Sequence, residues 1–393
     1  MKQLNQKKFL ELLLFGFFIF LPFERILTLE ISGLTAKISF IILLIIIIIF
    51  FSTLRKIILT TEEKFLLTFS TLSFLSIGFL TLRRIAKENG RIEIIKKILI
   101  YAGAVLSLFA LWQYFADLYN LPFSFLRPQY SKLIFGFPRP QATFLEPLYF
   151  ANFLFLPFYF NLEKILSEKR VGWFFILNQI LISMVFVLTL SRGAYLGVLG
   201  SLFLLLIVIL IKFQQNLKRF FLGLFLSVVG VLLAVALIYF TVPTKQDFRL
   251  FLAHSSAADV QTGESTVDRF YTSQIAVEKF LTSPWGIGTG AFGALPEFRD
   301  KISISGYQTV NNLYLEILIE EGILGLLLFV GFLFLIIKSQ IFRLGEPQAR
   351  RASLISQNFS PVIYLSILFA LLIQATTLAP IYLLPFWAFL ALV

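Results

Sequence analysis

Long apolar runs separated by short polar segments dominate the chain. Most of them approach the roughly 20 residues that a helix needs to cross the hydrocarbon core of a bilayer, although the fifth and the last are short. No window shows the alternating pattern of barrel strands, so each run should satisfy its backbone polar groups as a helix. The pattern therefore predicts an all-α polytopic membrane protein. The eleven candidate spans are residues 9–23, 38–54, 65–82, 95–117, 147–161, 172–190, 193–212, 219–241, 313–338, 361–378 and 380–393.

Composition narrows the class of protein. Of 393 residues, 58% are hydrophobic and 14% charged, whereas soluble domains are about one quarter charged. The chain has no cysteine and one histidine, His254, which excludes disulfides, thiol catalysis and metal sites built from cysteine or histidine clusters. The net charge of +12 comes from basic residues in short loops, where they act as topology signals and contact lipid headgroups. We therefore expect no nucleic-acid partner.

The distribution of basic residues orients the spans. The N-terminal run resembles a signal peptide, but Glu24 and Arg25 follow it directly without a cleavage site, which indicates an uncleaved first span. Basic loops near 212–219 and 338–351 should be cytoplasmic, which leaves residues 243–311 outside. Residues 83–97 are also basic, yet counting from a cytoplasmic N-terminus places them outside. Either one crossing before residue 118 is missing or the N-terminus is external; we favour the missing crossing, which gives about 11–12 spans.

Two segments outside the spans interrupt this single integral membrane domain, residues 1–393. Residues 118–146 are rich in proline and aromatic residues, as suits an external loop or a re-entrant segment. Residues 243–311 are longer than a helix connection requires. Within them "VDRFYTSQIAVEKFLTS" predicts an amphipathic helix on the membrane, with Phe270, Ile275, Phe280 and Leu281 at near-helical spacing.

The glycine-rich segment "WGIGTGAFG", residues 285–293, superficially matches a dinucleotide fingerprint. That interpretation requires a preceding buried strand, and none is predicted here. We therefore expect its glycines to form a tight turn packed against the helices.

Four charged residues lie inside or against the predicted membrane region, where charge is costly. Arg192, in "TLSRGAYLG", either reaches lipid headgroups or binds an anionic ligand, while the neighbouring glycines favour close helix packing. Arg269 is either a solvated loop residue or part of the same site. Arg139 lies between two prolines on a stiff extended backbone. Glu146 precedes Pro147, where a carboxylate also suits a helix start.

A further polar group opens a span, in "TVNNLYLEILIEEGILGLLLF". Asn312, Glu316 and Glu320 are spaced by four and share one helical face. This polar stripe continues into an apolar run, which predicts that it faces an aqueous cavity between helices at the outer membrane boundary.

Three motifs in this order resemble the O-antigen ligase and O-antigen polymerase superfamily. They are "TLSRGAYLG" between two spans, "PWGIGTGAFG" after an arginine in a large external loop, and "NNLYLEILIEEGILGLLLF" at the start of the next span. The resemblance covers about residues 135–393 well. It implies a bundle of the GT-C-like type and a membrane glycosyltransferase that needs no metal and no cofactor. The enzyme would lie in the bacterial cytoplasmic membrane, with its active site facing outward. The substrates would be an undecaprenyl-diphosphate-linked oligosaccharide and a glycan or lipid-linked acceptor, with polysaccharide-assembly proteins as further partners.

The resemblance also implies roles for individual residues. Arg192 and Arg269, with Arg139, would bind the donor diphosphate, since guanidinium groups match phosphate oxygens and stay charged. The family often has a histidine where this chain has Asn311, which cannot accept a proton. The base would then be Glu316 or Glu146, or else Asn311 orients the acceptor and the leaving group provides the driving force. Asn312, Tyr314 and Glu320 would line the acceptor side.

Two questions of function stay open at the level of sequence. The "FLEP" and "NN" patterns resemble polymerases and related exopolysaccharide enzymes more than ligases. The alternative from another class is a transporter or flippase of lipid-linked saccharides. That class would show inverted repeats and charges near mid-membrane, whereas here the charges cluster at one face and no repeat is evident.

Overall fold

The computed structural model describes residues 2–23, 28–31, 34–53, 74–86, 90–132, 136–241, 248, 264–298, 309–345, 359–378 and 384–393. Within these residues, helices account for most of the chain, as predicted. One short antiparallel hairpin, in which Thr28 pairs with Lys37, was not predicted. The elements are α1 Lys2–Phe20, β1 Thr28–Ile31, β2 Leu34–Lys37, α2 Ile38–Thr53, α3 Phe74–Ala86, α4 Arg91–Leu118, α5 Pro147–Ser167, α6 Trp173–Leu188, α7 Arg192–Lys212, α8 Leu217–Thr241, α9 Glu264–Thr282, α10 Leu313–Gly345, α11 Ser360–Gln374 and α12 Leu384–Leu392.

The length and apolar composition of the helices confirm a polytopic membrane protein. In the described part of the chain, α4, α7, α8 with its preceding turn, and α10 are long and apolar enough to cross a bilayer. Helices α6 and α11 are apolar but shorter. The predicted span 147–161 continues to Ser167, so Pro157 does not end α5. Of the predicted span 65–82, residues 65–73 lie outside the described residues, as does His254.

Helix α3 packs against α2 through Gly78, which contacts the side chain of Leu43. Residues 54–73, between the two helices in sequence, lie outside the described residues. A further crossing before residue 118 therefore stays a prediction.

The glycine stripe after Arg192 brings α7 against α11. A side chain at Gly197 would lie 2.7 Å from the carbonyl oxygen of Ala370, so only glycine allows this approach of the two backbones. Gly193 and Gly200 pack against Thr377 and Ile373 of the same partner segment. The predicted close helix packing is confirmed, and it fixes the start of α7 laterally.

Amide side chains join α5, α6 and α8 inside the bundle. The Asn161 amide nitrogen donates to the Gln179 amide oxygen over 2.9 Å, and the Gln179 amide nitrogen donates to the Ser227 hydroxyl over 3.1 Å. Asn178 donates to the Asn161 amide oxygen. Such bonds between helices replace hydrogen bonds to water in an apolar interior and fix the helices relative to one another.

A left-handed residue divides α10 near its start. Gly322 has a φ of 72°, and the glycine-rich segment 284–293 packs its backbone against this kink. The Ile287 amide donates to the Ile319 carbonyl over 2.9 Å, and the Ile323 amide donates to the Pro284 carbonyl over 3.1 Å. The predicted tight turn against the helices is confirmed, with the acidic start of α10 as its partner.

Replacing Gly322 by alanine is expected to destabilise this junction. A side chain there would adopt an unfavourable left-handed backbone, at a cost of about 1–3 kcal/mol. It would also lie 2.6 Å from the Trp285 carbonyl oxygen. We expect a lower thermal unfolding midpoint in detergent for G322A. The control is G345A at the end of the same helix, where a side chain meets nothing within 4 Å; equal midpoints in both variants would contradict this account.

Candidate functional site

Three arginines from separate segments converge at one end of the bundle. We call this end, which holds residues 119–132, 136–146 and 264–298, the loop end. Burial lowers the pKa of Arg269, and the neighbouring positive charge of Arg192 lowers this pKa further. Burial likewise lowers the pKa of Arg139, with Arg192 again contributing. Arg192 therefore lies within electrostatic range of both other guanidinium groups.

Arg139 also connects the loop to the junction between α6 and α7. Its Nη2 atom donates to the Thr189 carbonyl over 3.0 Å, and its guanidinium lies 5.8 Å from the centre of the Tyr130 ring. Leu190 has a φ of 51°, a left-handed conformation that is rare for a bulky residue and is often found at functional sites. The arginine thus bonds a carbonyl presented next to a strained turn, directly before Arg192.

Arg192 is the first residue of α7. A helix start presents backbone N–H groups without helical partners and a positive dipole, both of which favour an anion. Ser191, at the N-cap position, makes no side-chain capping bond. Its buried hydroxyl has no hydrogen-bond partner within the described residues. Helix start, hydroxyl and guanidinium together are suited to bind phosphate.

Glu146 is the carboxylate among the arginines. It occupies the N-cap position of α5, where the helix dipole favours a carboxylate, and its side chain makes no capping hydrogen bond. Its negative charge partly offsets the lowering of the pKa of Arg139 and of Arg269 by burial and by Arg192. Burial and then the Glu146 charge raise the pKa of Tyr130 to about 12. Glu146 therefore lies within range of two of the three guanidinium groups.

The two asparagines before α10 have local contacts. Asn311 has a φ of 56°, a conformation that asparagine tolerates better than most residues. The Asn312 side-chain oxygen accepts from the backbone amides of Tyr314 at 3.1 Å and Leu315 at 3.2 Å, which makes it the N-cap of α10. The Tyr314 hydroxyl donates to the Leu372 carbonyl over 3.0 Å. These contacts explain the start of α10; the acceptor roles of the three residues stay predictions.

Glu316 and Glu320 lie on one face of α10, as predicted, but this face is buried. Glu316 is 1% exposed and Glu320 is 4% exposed. The Glu320 carboxylate accepts the backbone amide of Phe292 over 3.3 Å, which links it to the glycine-rich segment. This burial differs from the predicted wall of an aqueous cavity. The catalytic role of Glu316 and the acceptor-lining role of Glu320 stay predictions.

Gln141 was missed by the sequence analysis. It lies two residues after Arg139 and is fully buried. Neither atom of its side-chain amide has a hydrogen-bond partner within the described residues. The following residue, Ala142, has a φ of 49°. A buried amide next to a strained residue can bind a polar ligand group, but the sequence signal was limited to its place in "PRPQ".

The described residues contain no group of three histidine, cysteine, aspartate or glutamate side chains that could hold a metal ion. The candidate site comprises three guanidinium groups, the Glu146 carboxylate and the start of α7. Such an arrangement is suited to bind an anion.

Fold and site together define a multi-pass membrane protein with a cationic site at the loop end of its helices. Residues 177–330 match the family model described as O-antigen ligase. This segment includes Arg192, Arg269 and the start of α10, and its match supports the predicted resemblance to the O-antigen ligase and polymerase superfamily. The family is one of membrane glycosyltransferases that act on lipid-linked oligosaccharides. No curated protein matches the chain.

Proposed function

We propose that the protein transfers or polymerises glycan from an undecaprenyl-diphosphate-linked donor on the outer face of the bacterial cytoplasmic membrane. The observation that carries the proposal is the convergence of Arg192 and Arg269 at the start of α7. A diphosphate would neutralise guanidinium charges that are otherwise held close together at a cost. Arginine forks bind phosphate oxygens bidentately, and the helix dipole adds to the attraction.

The proposed reaction is a displacement at the anomeric carbon of the donor sugar. An acceptor hydroxyl oxygen forms the new bond to this carbon, and the bond from the carbon to the diphosphate oxygen breaks. The electron pair leaves with undecaprenyl diphosphate, and the hydroxyl proton passes to a carboxylate. Arg192 and Arg269 stabilise the negative charge that develops on the leaving oxygen, which is the largest electrostatic demand of the step.

Of the two candidate bases, Glu146 is better placed than Glu316. The base has to lie near the donor's anomeric carbon, which is bonded to the diphosphate. Glu146 interacts electrostatically with Arg269 and Arg139, whereas Glu316 is buried on α10. We therefore assign the proton to Glu146 and leave Asn311 to orient the acceptor.

Arg139 is proposed to act by positioning Arg192 as well as by its own charge. Its guanidinium already donates to the carbonyls of Thr189 and Leu190, the residues that lead into α7. Loss of Arg139 would remove the hydrogen bonds that hold the turn at Thr189 and Leu190, and this turn orients the start of α7 toward the ligand.

The polymerase reaction is preferred over the ligase reaction, on the "FLEP" and "NN" patterns. The test is reconstitution of the purified protein in liposomes with a lipid-linked repeat unit. A polymerase produces a ladder of increasing chain length from this substrate alone. A ligase gives no ladder but transfers the unit once to an added lipid-core acceptor. Failure of both transfers would overturn the proposed function.

A further inference from the structure

Helix α9 carries three different faces, which follow from the spacing of its residues. One face turns toward the protein and includes Thr272 and Ala276, each 1% exposed. Ala276 belongs to a hydrophobic cluster with Phe292 and Ile319. Arg269 lies on this face, three residues before Thr272, and reaches the charges of Arg192 and Glu146. Residues spaced by three and four share a helix face, so the inner face is continuous.

The second face is exposed and largely apolar. Phe270 is 74% exposed and Leu281 is 72% exposed, and Trp285, just beyond the helix, is 76% exposed. Isolated exposed apolar residues are common, but a row of large ones on one face marks an interaction surface. We call this row the apolar stripe: Val267, Phe270, Val277, Leu281 and Trp285.

The third face is polar and exposed. Each of its residues follows a helical member of the apolar stripe by one position, which turns it about 100° around the helix axis. Most exposed apolar and exposed polar residues therefore lie on different sides of the helix. Gln274, which is exposed within the apolar stripe, and Ile275, which is buried beside the polar face, are the exceptions. The polar face comprises Asp268, Tyr271, Glu278 and Thr282.

The apolar stripe continues onto the surface of α10. The backbone of Trp285 packs against Gly322, and the Ile323 amide bonds the Pro284 carbonyl. From this point α10 exposes Ile323, Leu324 and Leu327. Since α10 has the length and composition of a membrane span, its exposed apolar side chains face acyl chains. The apolar stripe of α9 therefore meets the lipid-facing surface of α10 at Trp285 and Gly322.

We propose that the apolar stripe of α9 is embedded in the outer leaflet of the membrane. The helix lies in the plane of the interface, with its polar face toward water and its inner face toward the bundle. The occupant is lipid and not a second copy of the chain, because the stripe is continuous with a lipid-facing surface and ends in a tryptophan, which favours the interface. The sequence pattern predicts an interfacial helix with Ile275 and Phe280 on its lipid face. In the structure Ile275 is buried and Phe280 is partly buried in the protein.

This insertion has a consequence for the site, which rests on the proposed function. Arg269 lies on the protein-facing side of α9, which itself lies at the level of the lipid headgroups. The diphosphate of a donor whose polyprenyl chain lies in the same leaflet would reach the same depth. The lipid contact of α9 thus determines the depth of the Arg269 guanidinium group in the leaflet, and α7 determines the depth of the Arg192 guanidinium group.

The test uses Trp285 as a fluorescent reporter in nanodiscs. In a variant with Trp112, Trp173 and Trp387 changed to phenylalanine, we expect strong quenching by phospholipids brominated near the glycerol end of the acyl chain and weak quenching by aqueous iodide. Quenching by iodide but not by bromolipid would place the stripe in water and overturn the proposal. Quenching by neither would indicate a protein contact and overturn it as well. A reporter that keeps Trp387 alone, 2% exposed, gives the fully buried control.

A pair of neighbouring substitutions sharpens the test. L281D places a charge in the apolar stripe and should at least halve the bromolipid quenching of Trp285. T282D places the same charge on the polar face and should leave this quenching unchanged. Equal effects of the two would contradict the assignment of faces. The quenching of Trp285 does not depend on glycan transfer. A failure of this test is therefore distinguishable from a failure of the proposed reaction.

Discussion

Replacing Arg192 or Arg269 by alanine is expected to reduce glycan transfer by at least about a hundredfold, the loss typical of removing one donor to a developing anion. Each variant removes a charge-assisted contact that becomes stronger as the diphosphate leaves. Lysine at either position keeps the charge but loses the bidentate fork, so R192K and R269K should be intermediate. The measurement is the initial rate of transfer in liposomes, with membrane insertion checked by the amount of folded protein.

The matched control for R269A is K279A on the same helix. Lys279 forms a 2.6 Å ion pair with Glu297 away from the arginines. A partly exposed ion pair contributes at most about 1 kcal/mol to stability, so transfer by K279A should stay within twofold of the unaltered protein. Unaltered polymer in R192A and R269A would remove the claim that these residues bind the donor.

The second large effect is expected at Glu146. E146Q keeps the shape of the side chain but removes its capacity to accept a proton, and general-base catalysis typically contributes about 10²–10⁴-fold. We expect a loss of this size for E146Q and a rate near that of the unaltered protein for E316Q. The initial transfer rates of the two variants, at equal amounts of folded protein, make the comparison.

Two other results for E146Q and E316Q would contradict this assignment of the base. A loss in E316Q with an active E146Q would move the base to α10 and contradict our preference. Full activity in both variants would end the general-base mechanism and leave diphosphate departure as the main driving force.

The helices were largely predictable because length and hydropathy alone determine which segments can cross a bilayer. The start of α10 at Leu313 was predicted closely, and the Asn312 cap explains why the helix begins there. That cap follows a general preference for asparagine before a helix, which the sequence analysis did not apply. The close packing at Gly197 also followed from the sequence, since small residues at a fixed spacing favour contact between helices.

Other features depend on contacts between distant segments. The kink at Gly322 forms together with the backbone of Trp285, and neither sequence segment alone indicates the other. The left-handed Leu190 has no local signal, because its conformation is stabilised by tertiary contacts such as those of Arg139. The position of Glu146 among the arginines likewise could not be told from its place before Pro147, where a helix-start role predicted the same residue type.

The central claim is that Arg192 and Arg269 together bind a lipid diphosphate. It is tested most directly by equilibrium binding of a polyprenyl diphosphate to the protein in nanodiscs, with the monophosphate as a competitor. We predict that R192A and R269A each weaken diphosphate binding at least tenfold, that K279A does not, and that the monophosphate competes poorly. Equal affinity of all four proteins for the diphosphate would contradict the account.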